Sequence, residues 1–542
     1  MKKYIGFSII ALGMTLTACN DYLDKLPDNR ATLNTEDKVV TFLTSAYPSN
    51  EYVIVNELMA DNIDDDGESN AYTDRWVEQV FHWEDVTETN NSSSQNFWED
   101  AYYCIVTANQ ALAAIDELGS NSSKIRQARA EALLCRAYNQ FMLANEFCKR
   151  YDSKTADTDL GIPYMYGLEA TLNLHHERGT LAEVYEKIDL DLQEALPLVG
   201  DDNYSVPKFH FNQKAAYAFA ARFYLFYEKW DKAIQYATQC LGGNPSSVLR
   251  DWSAQAAMTQ AFDAISQHYI SASVNSNLLL STSYTQLGTW LGPYTRWKRF
   301  SHHHYTAETE DVLAANVWGT GGFYMVPKVY GGSNYDFVIF WRNPYLFEYT
   351  DPVAGIGYAR SITPILTTDE ALLNRAEAYI MLKQYDKACE DLNTWLHNIV
   401  RTNVVLTPEM IQEFYNSVDY SYDDETKMQS TVKKHLHPAF AIDAEGSVQE
   451  TMLQCMLGFR RIETMQLGLR WFDVKRYGIV IPRRVMNADG EPEKVVDWLT
   501  LDDERRAIQI PYDVVDAGIQ PNPRAKGTDD AGEMLQPIEI KE

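Results

Sequence analysis

Two stretches of the sequence decide the fold: AAYAFAARFYLFYEKWDKAIQYATQCL at 215–241 and EALLNRAEAYIMLKQYDKACEDLNTWL at 370–396. In each, an alanine is followed three residues later by a tyrosine and nine residues after that by a second alanine. These positions are Ala221, Tyr224 and Ala233 in the first stretch and Ala376, Tyr379 and Ala388 in the second. Small residues at this spacing let two antiparallel helices approach closely, while the tyrosine fills the groove between them.

The spacing is that of a tetratricopeptide repeat, a helix pair that stacks on its neighbours to form a continuous core. Two further helix pairs are predicted. Residues 98–118 carry apolar side chains at a helical period, and residues 124–150 follow as the partner helix. Thr180 and Glu183 form a capping-box pattern at the start of another helix, which should end near Pro197. The sequence therefore predicts a mainly α fold on a tetratricopeptide-like helical-repeat scaffold.

A long insertion interrupts this scaffold. Ala233 and Ala388 are 155 residues apart, and the insertion runs from about Gly242 to Thr368. Within it, residues 284–349 hold 17 aromatic side chains, about twice the density of the whole chain. Because this stretch contains repeated glycines and prolines and little helical period, we expect a large irregular, loop-rich subdomain.

Local signals give the remaining boundaries. We expect a tether at 19–40, the first part of the scaffold at 41–241, the insertion at 242–368, a helix pair at 369–402 and a C-terminal region at 403–542. In the last region, a helix at 458–477 precedes a turn signal at Asp489-Gly490 between two short apolar runs. A small hairpin is predicted there.

The first residues indicate export. Lys2 and Lys3 form a positive segment, residues 4–16 are apolar, and Leu-Thr-Ala-Cys19 closes the stretch. The apolar run is shorter than the roughly 18 residues that span a bilayer and has the length of a signal-peptide core. The closing motif resembles a bacterial lipobox; an ordinary secretory signal with a chance cysteine is the alternative. We expect residues 1–18 to be removed and Cys19 to be lipidated, so that the lipid alone holds the protein to a membrane.

The composition excludes two classes of protein. The chain has 542 residues, with 47 Lys plus Arg against 76 Asp plus Glu and a formal net charge of −29. Such an acidic surface repels a phosphate backbone, which excludes a general nucleic-acid binder. A hydrophobic fraction of 45% excludes an intrinsically disordered chain.

Metal and redox chemistry have weak support in the sequence. The six cysteines after Cys19 form no Cys-x-x-Cys pair and have no histidine at the spacing of zinc ligands. His302, His303 and His304 are consecutive, and we expect them in a solvated loop rather than around a metal ion. The segment from Asp61 to Gly67 is rich in carboxylates and suits calcium, although it lacks the distal bidentate glutamate of a full calcium loop. Calcium is the one cofactor that the sequence leaves open.

A further set of motifs follows in a fixed order along the chain. It comprises the lipobox with Asp21-Tyr22-Leu23-Asp24 and Pro27, the helix with Trp98, Tyr102, Ile105 and Asn109, the repeat helices, the helix with Arg461, Glu463, Gly468, Arg470, Trp471, Asp473 and Arg476, and the closing Ile510-Pro511 and Asn522-Pro523. In this order the motifs resemble the SusD/RagB family, from Cys19 to about Pro523. Family members more often have Glu-Arg where this chain has Arg460-Arg461.

The resemblance implies a surface-exposed, nutrient-binding lipoprotein of the outer membrane of Bacteroidetes-type bacteria. Such proteins pack a tetratricopeptide-like scaffold against a SusC-like TonB-dependent transporter and capture a glycan on the opposite face, and some members bind peptides instead. We therefore expect a glycan-binding protein that delivers an oligosaccharide or polysaccharide to such a transporter, with the insertion as the ligand surface. A RagB-like capture of peptides is the alternative.

Aromatic and arginine side chains are the candidate ligand contacts. A sugar ring presents a C–H face to a flat aromatic ring, and arginine donates paired hydrogen bonds to oxygen atoms. The candidates are Tyr72, Trp76, Trp83, Trp290, Tyr294, Arg296, Trp297, Trp318 and Arg342. About half of the insertion's rings should pack in the core. The first candidates for that role are Phe323, Phe337, Phe340 and Phe347, which carry no polar group.

An enzyme is the main alternative class. A glycoside hydrolase needs a pair of carboxylates, which 76 acidic residues permit, but no pattern isolates such a pair. The sequence also lacks G-x-S-x-G, H-E-x-x-H and a glycine-rich phosphate loop. A purely structural scaffold is a third class, and the concentration of rings in the insertion argues against it. We predict a binding protein without catalysis.

Overall fold

Helices dominate the structure. The computed structural model describes residues 33–88, 90–167, 176–330 and 336–524. Most of the described residues that belong to a helix or a strand lie in helices, which confirms the predicted mainly α fold. The predicted signal peptide, Cys19 and most of the tether lie outside the described residues.

The first part of the scaffold is a series of packed helices. They are α1 (Glu36–Phe42), α2 (Val53–Met59), α3 (Arg75–Phe81), α4 (Ser94–Leu118), α5 (Ser123–Phe147), α6 (Leu181–Ala195), α7 (Gln213–Phe226) and α8 (Trp230–Leu241). α5 packs between α4 and α6, and α7 packs on α8. The predicted capping box starts α6, because the Glu183 N–H donates to Thr180 Oγ1 at 3.2 Å and the Thr180 N–H donates to the Glu183 carboxylate at 2.9 Å.

The two repeats that are far apart in sequence lie side by side in space. The second repeat consists of α13 (Thr368–Met381) and α14 (Tyr385–Ile399), and α13 packs against both α7 and α8. All four repeat alanines are fully buried: Ala221, Ala233, Ala376 and Ala388. Small side chains therefore stand where the helices touch, which confirms the tetratricopeptide-like scaffold.

The insertion leaves the scaffold after α8 and returns directly into α13. Its elements are α9 (Trp252–Ala256), α10 (Phe262–Tyr269), β2 (Asn277–Ser283), α11 (Leu287–Trp290), β3 (Phe300–Ser301), α12 (His304–Thr309), β4 (Lys328–Tyr330), β5 (Phe337–Ile339), β6 (Leu346–Asp351) and β7 (Ile356–Thr367). An antiparallel sheet has the order β2-β7-β6, and β4 pairs with β5. Between these short elements the chain is irregular, as predicted, but the sheet is more regular than the sequence suggested.

The C-terminal region contributes helices and a hairpin. Its elements are α15 (Pro408–Asn416), α16 (Val448–Glu463), α17 (Arg470–Arg476), β8 (Ile481–Met486), β9 (Pro492–Leu499) and α18 (Tyr512–Asp516). β8 and β9 form the predicted hairpin around Asp489-Gly490. With β1 (Asp64–Asp65) they build a sheet of order β3-β1-β8-β9, so that distant parts of the chain meet in one sheet.

Buried ion pairs join the C-terminal helices to the scaffold. Arg460 on α16 and Arg476 on α17 both contact the carboxylate of Glu377 on α13, Arg476 at 2.7 Å. The Tyr477 hydroxyl donates to the same carboxylate at 2.7 Å. Burial raises the pKa of Glu377, but the two arginines outweigh it and hold the pKa at about 2. This carboxylate is therefore charged at neutral pH and satisfied from three sides.

Candidate functional site

The segment between α11 and β3 brings three predicted ligand residues to the surface. Tyr294, Arg296 and Trp297 are exposed, whereas Thr295 in the same segment is buried. Residues 295–297 form one turn of 3-10 helix. The guanidinium carbon of Arg296 lies 4.3 Å from the centroid of the Trp297 ring. This short turn therefore presents one ring and one stacked cation-ring pair to solvent.

Tyr72, a fourth predicted residue, lies beside this segment. The Arg299 N–H donates to the Tyr72 carbonyl at 2.9 Å, which fixes the two backbones side by side. The Lys298 ammonium is 4.1 Å from the centroid of the Tyr72 ring and 4.0 Å from that of Trp290. Burial lowers the pKa of Lys298 to about 8. Lys298 thus connects an exposed ring to a buried one.

A row of rings continues from Tyr294 along β6. The centroids of Tyr294 and Tyr345 are 5.1 Å apart, those of Tyr345 and Phe347 6.3 Å, and those of Phe347 and Tyr349 4.8 Å. Tyr345 and Tyr349 are exposed, and Phe347 is half-buried. We call these four rings, together with adjoining Trp297 and Tyr72, the aromatic strip.

The pairing of β6 with β7 explains why these rings share one face. Residues 345, 347 and 349 are alternate positions, and alternate side chains of a strand point to the same side. On β7, Ala359 lies opposite Phe347 and Gly357 lies opposite Tyr349. A Cβ at Gly357 would lie 2.7 Å from the Phe347 ring and 2.0 Å from the Glu348 carbonyl oxygen. Small residues on β7 therefore leave the space that the rings occupy.

Sequence reasoning missed Tyr345 and Tyr349. The signal was present, since aromatic residues stand at every second position of Tyr345-Leu346-Phe347-Glu348-Tyr349, a pattern typical of a strand with one aromatic face. Phe347 was expected in the core and instead belongs to the strip. Phe323, Phe337 and Phe340 are buried, as predicted.

Three of the predicted tryptophans are buried, so they do not make the predicted contact with a ligand. Trp76 and Trp290 are buried and pack edge to face at 6.2 Å. Trp83 is buried, and its indole N–H donates to the Met59 carbonyl at 2.9 Å. Trp318 is half-buried, and its indole N–H donates to the Gly321 carbonyl at 3.1 Å, so its contact with a ligand stays a prediction. The rings of Trp76, Trp83 and Trp290 pack in the interior, because other side chains cover them.

Arg342 also has a structural role rather than the predicted contact with ligand. Its side chain is buried and donates to the carbonyls of Ile462, Glu463 and Met465 at 3.0, 2.6 and 2.7 Å. These carbonyls lie at the C-terminal end of α16, where helix carbonyls lack partners within the helix. Arg342 therefore caps α16.

Three of the four carboxylates of the Asp61–Gly67 segment face arginines. Asp61 contacts Arg470 at 2.8 Å, Asp64 contacts Arg484 at 2.9 Å, and Asp65 contacts Arg299 at 2.6 Å. Since these oxygens already pair with fixed cations, the arrangement does not resemble the oxygen cage that calcium requires.

The histidine run is also placed differently from the prediction. His302 and His303 are buried and His304 is half-buried, so the run does not form a solvated loop.

A separate cleft of about 700 Å³ lies between α3, the start of α4 and the C-terminal segment. Its wall mixes aliphatic side chains with polar and charged ones and includes Trp83, whose ring also packs 3.7 Å from the guanidinium carbon of Arg483. Tyr512 is the strongly exposed ring at its rim. The cleft offers less ring surface than the aromatic strip, so we place the candidate site on the strip.

Comparison with protein families supports the motif analysis. A model of the SusD family matches residues 288–534, and a SusD-like model described as "starch-binding associating with outer membrane" matches residues 21–225. The chain belongs to the SusD/RagB family. Together the two matches cover the scaffold except α8 and the last residue of α7, and they cover all six rings of the aromatic strip.

Solved structures of SusD-type proteins share this fold. A Bacteroides vulgatus protein, provisionally named as sugar binding, is 18% identical with a TM-score of 0.63, and the match covers 91% of this chain and 99% of that one. A SusD superfamily protein from the same organism is 18% identical with a TM-score of 0.61, covering 92% and 100%. A SusD-like carbohydrate binding protein, also from Bacteroides vulgatus, is 13% identical with a TM-score of 0.60, covering 90% and 97%. Comparison with curated proteins gave no match. At these identities the similarity establishes the fold alone.

Within the residues that the structure describes, no helix is both long and apolar enough to cross a membrane.

Proposed function

We propose that this SusD/RagB protein is a cell-surface lipoprotein that captures an oligosaccharide or polysaccharide on the aromatic strip and passes it to a SusC-like TonB-dependent transporter. The observation that carries the proposal is the row of ring contacts from Tyr294 through Tyr345 and Phe347 to Tyr349. A long ligand built of repeated sugar rings fits such a row better than it fits a single pocket.

The chemistry of the strip suits a sugar chain. Aromatic rings contribute large contact area at a low cost in side-chain entropy, and a sugar ring offers its C–H face to them. The hydroxyls of Tyr345 and Tyr349 both donate and accept hydrogen bonds, and Arg296 supplies donors beside Trp297. The strip therefore combines stacking surfaces with polar groups for the sugar hydroxyls.

The family context favours a glycan over a peptide. One family model is described as starch-binding, and one structural neighbour is named as carbohydrate binding. The lipobox at Cys19 and the outer-membrane description of the same model support a lipid-anchored place at the cell surface.

Calorimetric titration of a soluble form that starts after Cys19 would test the ligand. We expect binding to one class of glycans in a panel that also contains peptides. The double variant Trp297→Ala with Tyr345→Ala should bind at least tenfold more weakly, which corresponds to about 1.4 kcal/mol. Tyr103→Ala is the matched control, because Tyr103 is 62% exposed on α4, outside the strip. Unchanged affinity in the double variant would refute this site, and binding of peptides alone would refute the glycan.

Binding without catalysis is a separate part of the proposal. The purified protein should return the bound glycan unchanged after prolonged incubation, as judged by chromatography of the sugars. Formation of shorter sugars at a rate that scales with protein concentration would instead indicate a glycoside hydrolase.

Co-purification from outer membranes would test the partner. We expect a SusC-like barrel to copurify with the lipidated protein through the helical scaffold, because exposed faces of stacked helix pairs commonly bind partners. The double variant of the strip should retain this partner. Loss of the partner in that variant would mean that the ligand surface and the transporter surface are the same.

A further inference from the structure

A cluster of histidine and aspartate side chains lies where distant parts of the chain meet. His303 and His304 stand at the start of α12, Asp336 directly precedes β5, and Asp66 directly follows β1. The turn of the β8-β9 hairpin reaches the cluster at Gly490. The aromatic strip uses none of these side chains.

The positions of the ligand-type atoms fit a metal ion. One nitrogen of His303, one nitrogen of His304 and one carboxylate oxygen of Asp336 all lie within 4.8 Å of one another. His303 Nε2 is 3.0 Å from Asp336 Oδ2, and His304 Nδ1 contacts the same oxygen. Ligands bound to tetrahedral zinc at about 2.0–2.2 Å stand roughly 3.3 Å apart. Small rotations of these side chains would therefore open the space for an ion.

Two consecutive histidines can approach the same carboxylate oxygen because they use different ring nitrogens. His303 offers Nε2 and His304 offers Nδ1, so the two rings reach one point from different sides. His302 points elsewhere, since its Nδ1 lies 3.0 Å from the Asn62 carbonyl oxygen. The third ligand comes from a different segment, which a search for local ligand spacing could not find.

The aspartates of this cluster have different ion-pair partners from the neighbouring aspartates. Asp61, Asp64 and Asp65 each pair with an arginine. Within the described part of the chain, neither Asp66 nor Asp336 forms an ion pair with lysine or arginine, and the ion-pair partners of both are histidines. Two carboxylates with little access to water favour a compensating cation. A divalent ion would supply that charge.

Gly490 shows how closely the hairpin encloses this cluster. A Cβ at Gly490 would lie 2.4 Å from His304 Cε1 and 2.7 Å from Asp336 Oδ2. The His304 side chain keeps 22% of its surface exposed, which leaves an entry path for a small ion.

We propose that His303 Nε2, His304 Nδ1 and Asp336 bind a divalent transition-metal ion, with zinc as the best match. Imidazole nitrogen with carboxylate oxygen is a donor set typical of zinc. Asp66, whose Oδ1 is 3.7 Å from His303 Nε2, adds a second negative charge beside these three ligands. Metal at Nε2 places the His303 proton on Nδ1, so the 3.2 Å hydrogen bond from the Tyr305 N–H to that nitrogen is given up. The ion would tie α12 to the start of β5.

Zinc titration of the purified mature protein tests this proposal. After treatment with EDTA and removal of the chelator, we expect one zinc ion per chain by calorimetry and a rise in Tm on adding zinc chloride, because a ligand that binds only the folded state stabilises it. Asp336→Asn and His304→Gln should each weaken zinc binding at least tenfold and abolish the rise in Tm. Both substitutions keep hydrogen-bonding groups of similar size, and Tm without zinc reports whether each variant folds.

His435→Gln is the matched control. His435 contacts Glu445 at 2.7 Å and Asp423 at 3.2 Å, but within the described residues these three side chains do not bring their ligand atoms close enough together to hold an ion. Zinc binding should be unchanged in this variant. The proposal is overturned if the wild-type protein binds no zinc or if both cluster variants bind it normally. Hydrogen bonds between the histidines and the aspartates would then hold the cluster together without an ion. A calcium response of equal size would overturn the transition-metal assignment, since calcium prefers oxygen ligands.

Discussion

The scaffold and the insertion are both rich in aromatic rings but use them differently. In the scaffold, the Phe141 ring contacts the rings of Tyr185, Phe219, Phe223 and Phe226, and all five side chains are buried. In the insertion, the rings of Tyr294, Tyr345 and Tyr349 are exposed along one edge. Helical rings converge on a shared core, whereas alternate positions on β6 hold rings on one exposed face. Ring density therefore identifies a binding surface only when the backbone period is known.

The same contrast exists within seven residues of the insertion. Trp290 on α11 is 1% exposed and donates its indole N–H to Gln286 at 3.0 Å, whereas Trp297 on the next turn is 46% exposed. Each of the two tryptophans is the last residue of a short helical turn in the insertion. Their difference comes from the direction in which each short turn presents its side chain.

The largest expected effect concerns the scaffold alone. Glu377→Gln should lower the free energy of unfolding by about 3 kcal/mol, because buried Arg460 and Arg476 then keep Asp473 as their one remaining charged partner among the described residues. Urea unfolding measures the loss, and glycan affinity of the folded protein should stay unchanged. Lys383→Ala is the control, since its pair with Asp443 is largely exposed and should contribute less than about 1 kcal/mol. A loss of glycan affinity in the Glu377 variant would show that scaffold and strip are not independent.

The pH dependence of this difference has a definite sign. The pKa of Glu377 is held at about 2 in the folded protein, below the ordinary value of 4.5 that applies in the unfolded chain. A depressed pKa contributes stability that is fully present above pH 4.5 and is lost as the pH falls through about 2. The wild-type protein and Glu377→Gln should therefore differ most above pH 4.5 and converge in acid. A difference that grows in acid would contradict the charged state of this carboxylate.

A second substitution pair sharpens the contrast between buried and exposed rings. Trp290→Ala should lower the free energy of unfolding by about 3 kcal/mol because it leaves a cavity beside Trp76. Trp297→Ala should change it by less than about 0.5 kcal/mol and should instead weaken glycan binding. Unfolding curves and titrations on both variants measure the two effects. If Trp297→Ala destabilised the protein as much as Trp290→Ala, the exposed ring would be a core residue.

The sequence predicts the scaffold better than the site for physical reasons. The repeat alanines, the Thr180 cap and the hairpin turn at Asp489-Gly490 are local signals, and the structure follows them. Exposure of a ring depends on packing between distant segments, which a local pattern does not contain. Trp83 is buried because its indole reaches Met59 and Arg483, residues far from it in sequence.

Four predicted ligand residues lie together at the surface: Tyr72, Tyr294, Arg296 and Trp297. Their role in binding stays a prediction. The rings that extend the strip along β6 were within reach of sequence reasoning, because the alternation of Tyr345, Phe347 and Tyr349 has the period of a strand. The metal cluster was not, since Asp336 joins His303 and His304 only in the folded chain.

The smallest expected change in glycan affinity tests whether the rings of β6 bind the ligand together. Gly357→Ala removes no ring, yet its Cβ would lie 2.0 Å from the Glu348 carbonyl oxygen and 2.7 Å from the Phe347 ring. β6 and β7 must therefore separate locally, which should cost about 1–3 kcal/mol of stability and move Phe347 out of line with Tyr345. We expect glycan affinity to fall by a few fold in calorimetric titration.

Gly243→Ala is the control for that substitution, because a Cβ there meets no atom within 4 Å. It should leave both stability and affinity nearly unchanged. If Gly357→Ala lowered stability while affinity stayed at the wild-type value, each ring would bind its sugar unit independently. Because a displaced Phe347 alters the spacing to both of its neighbours, a parallel fall in affinity would instead mean that the ligand spans several rings at once.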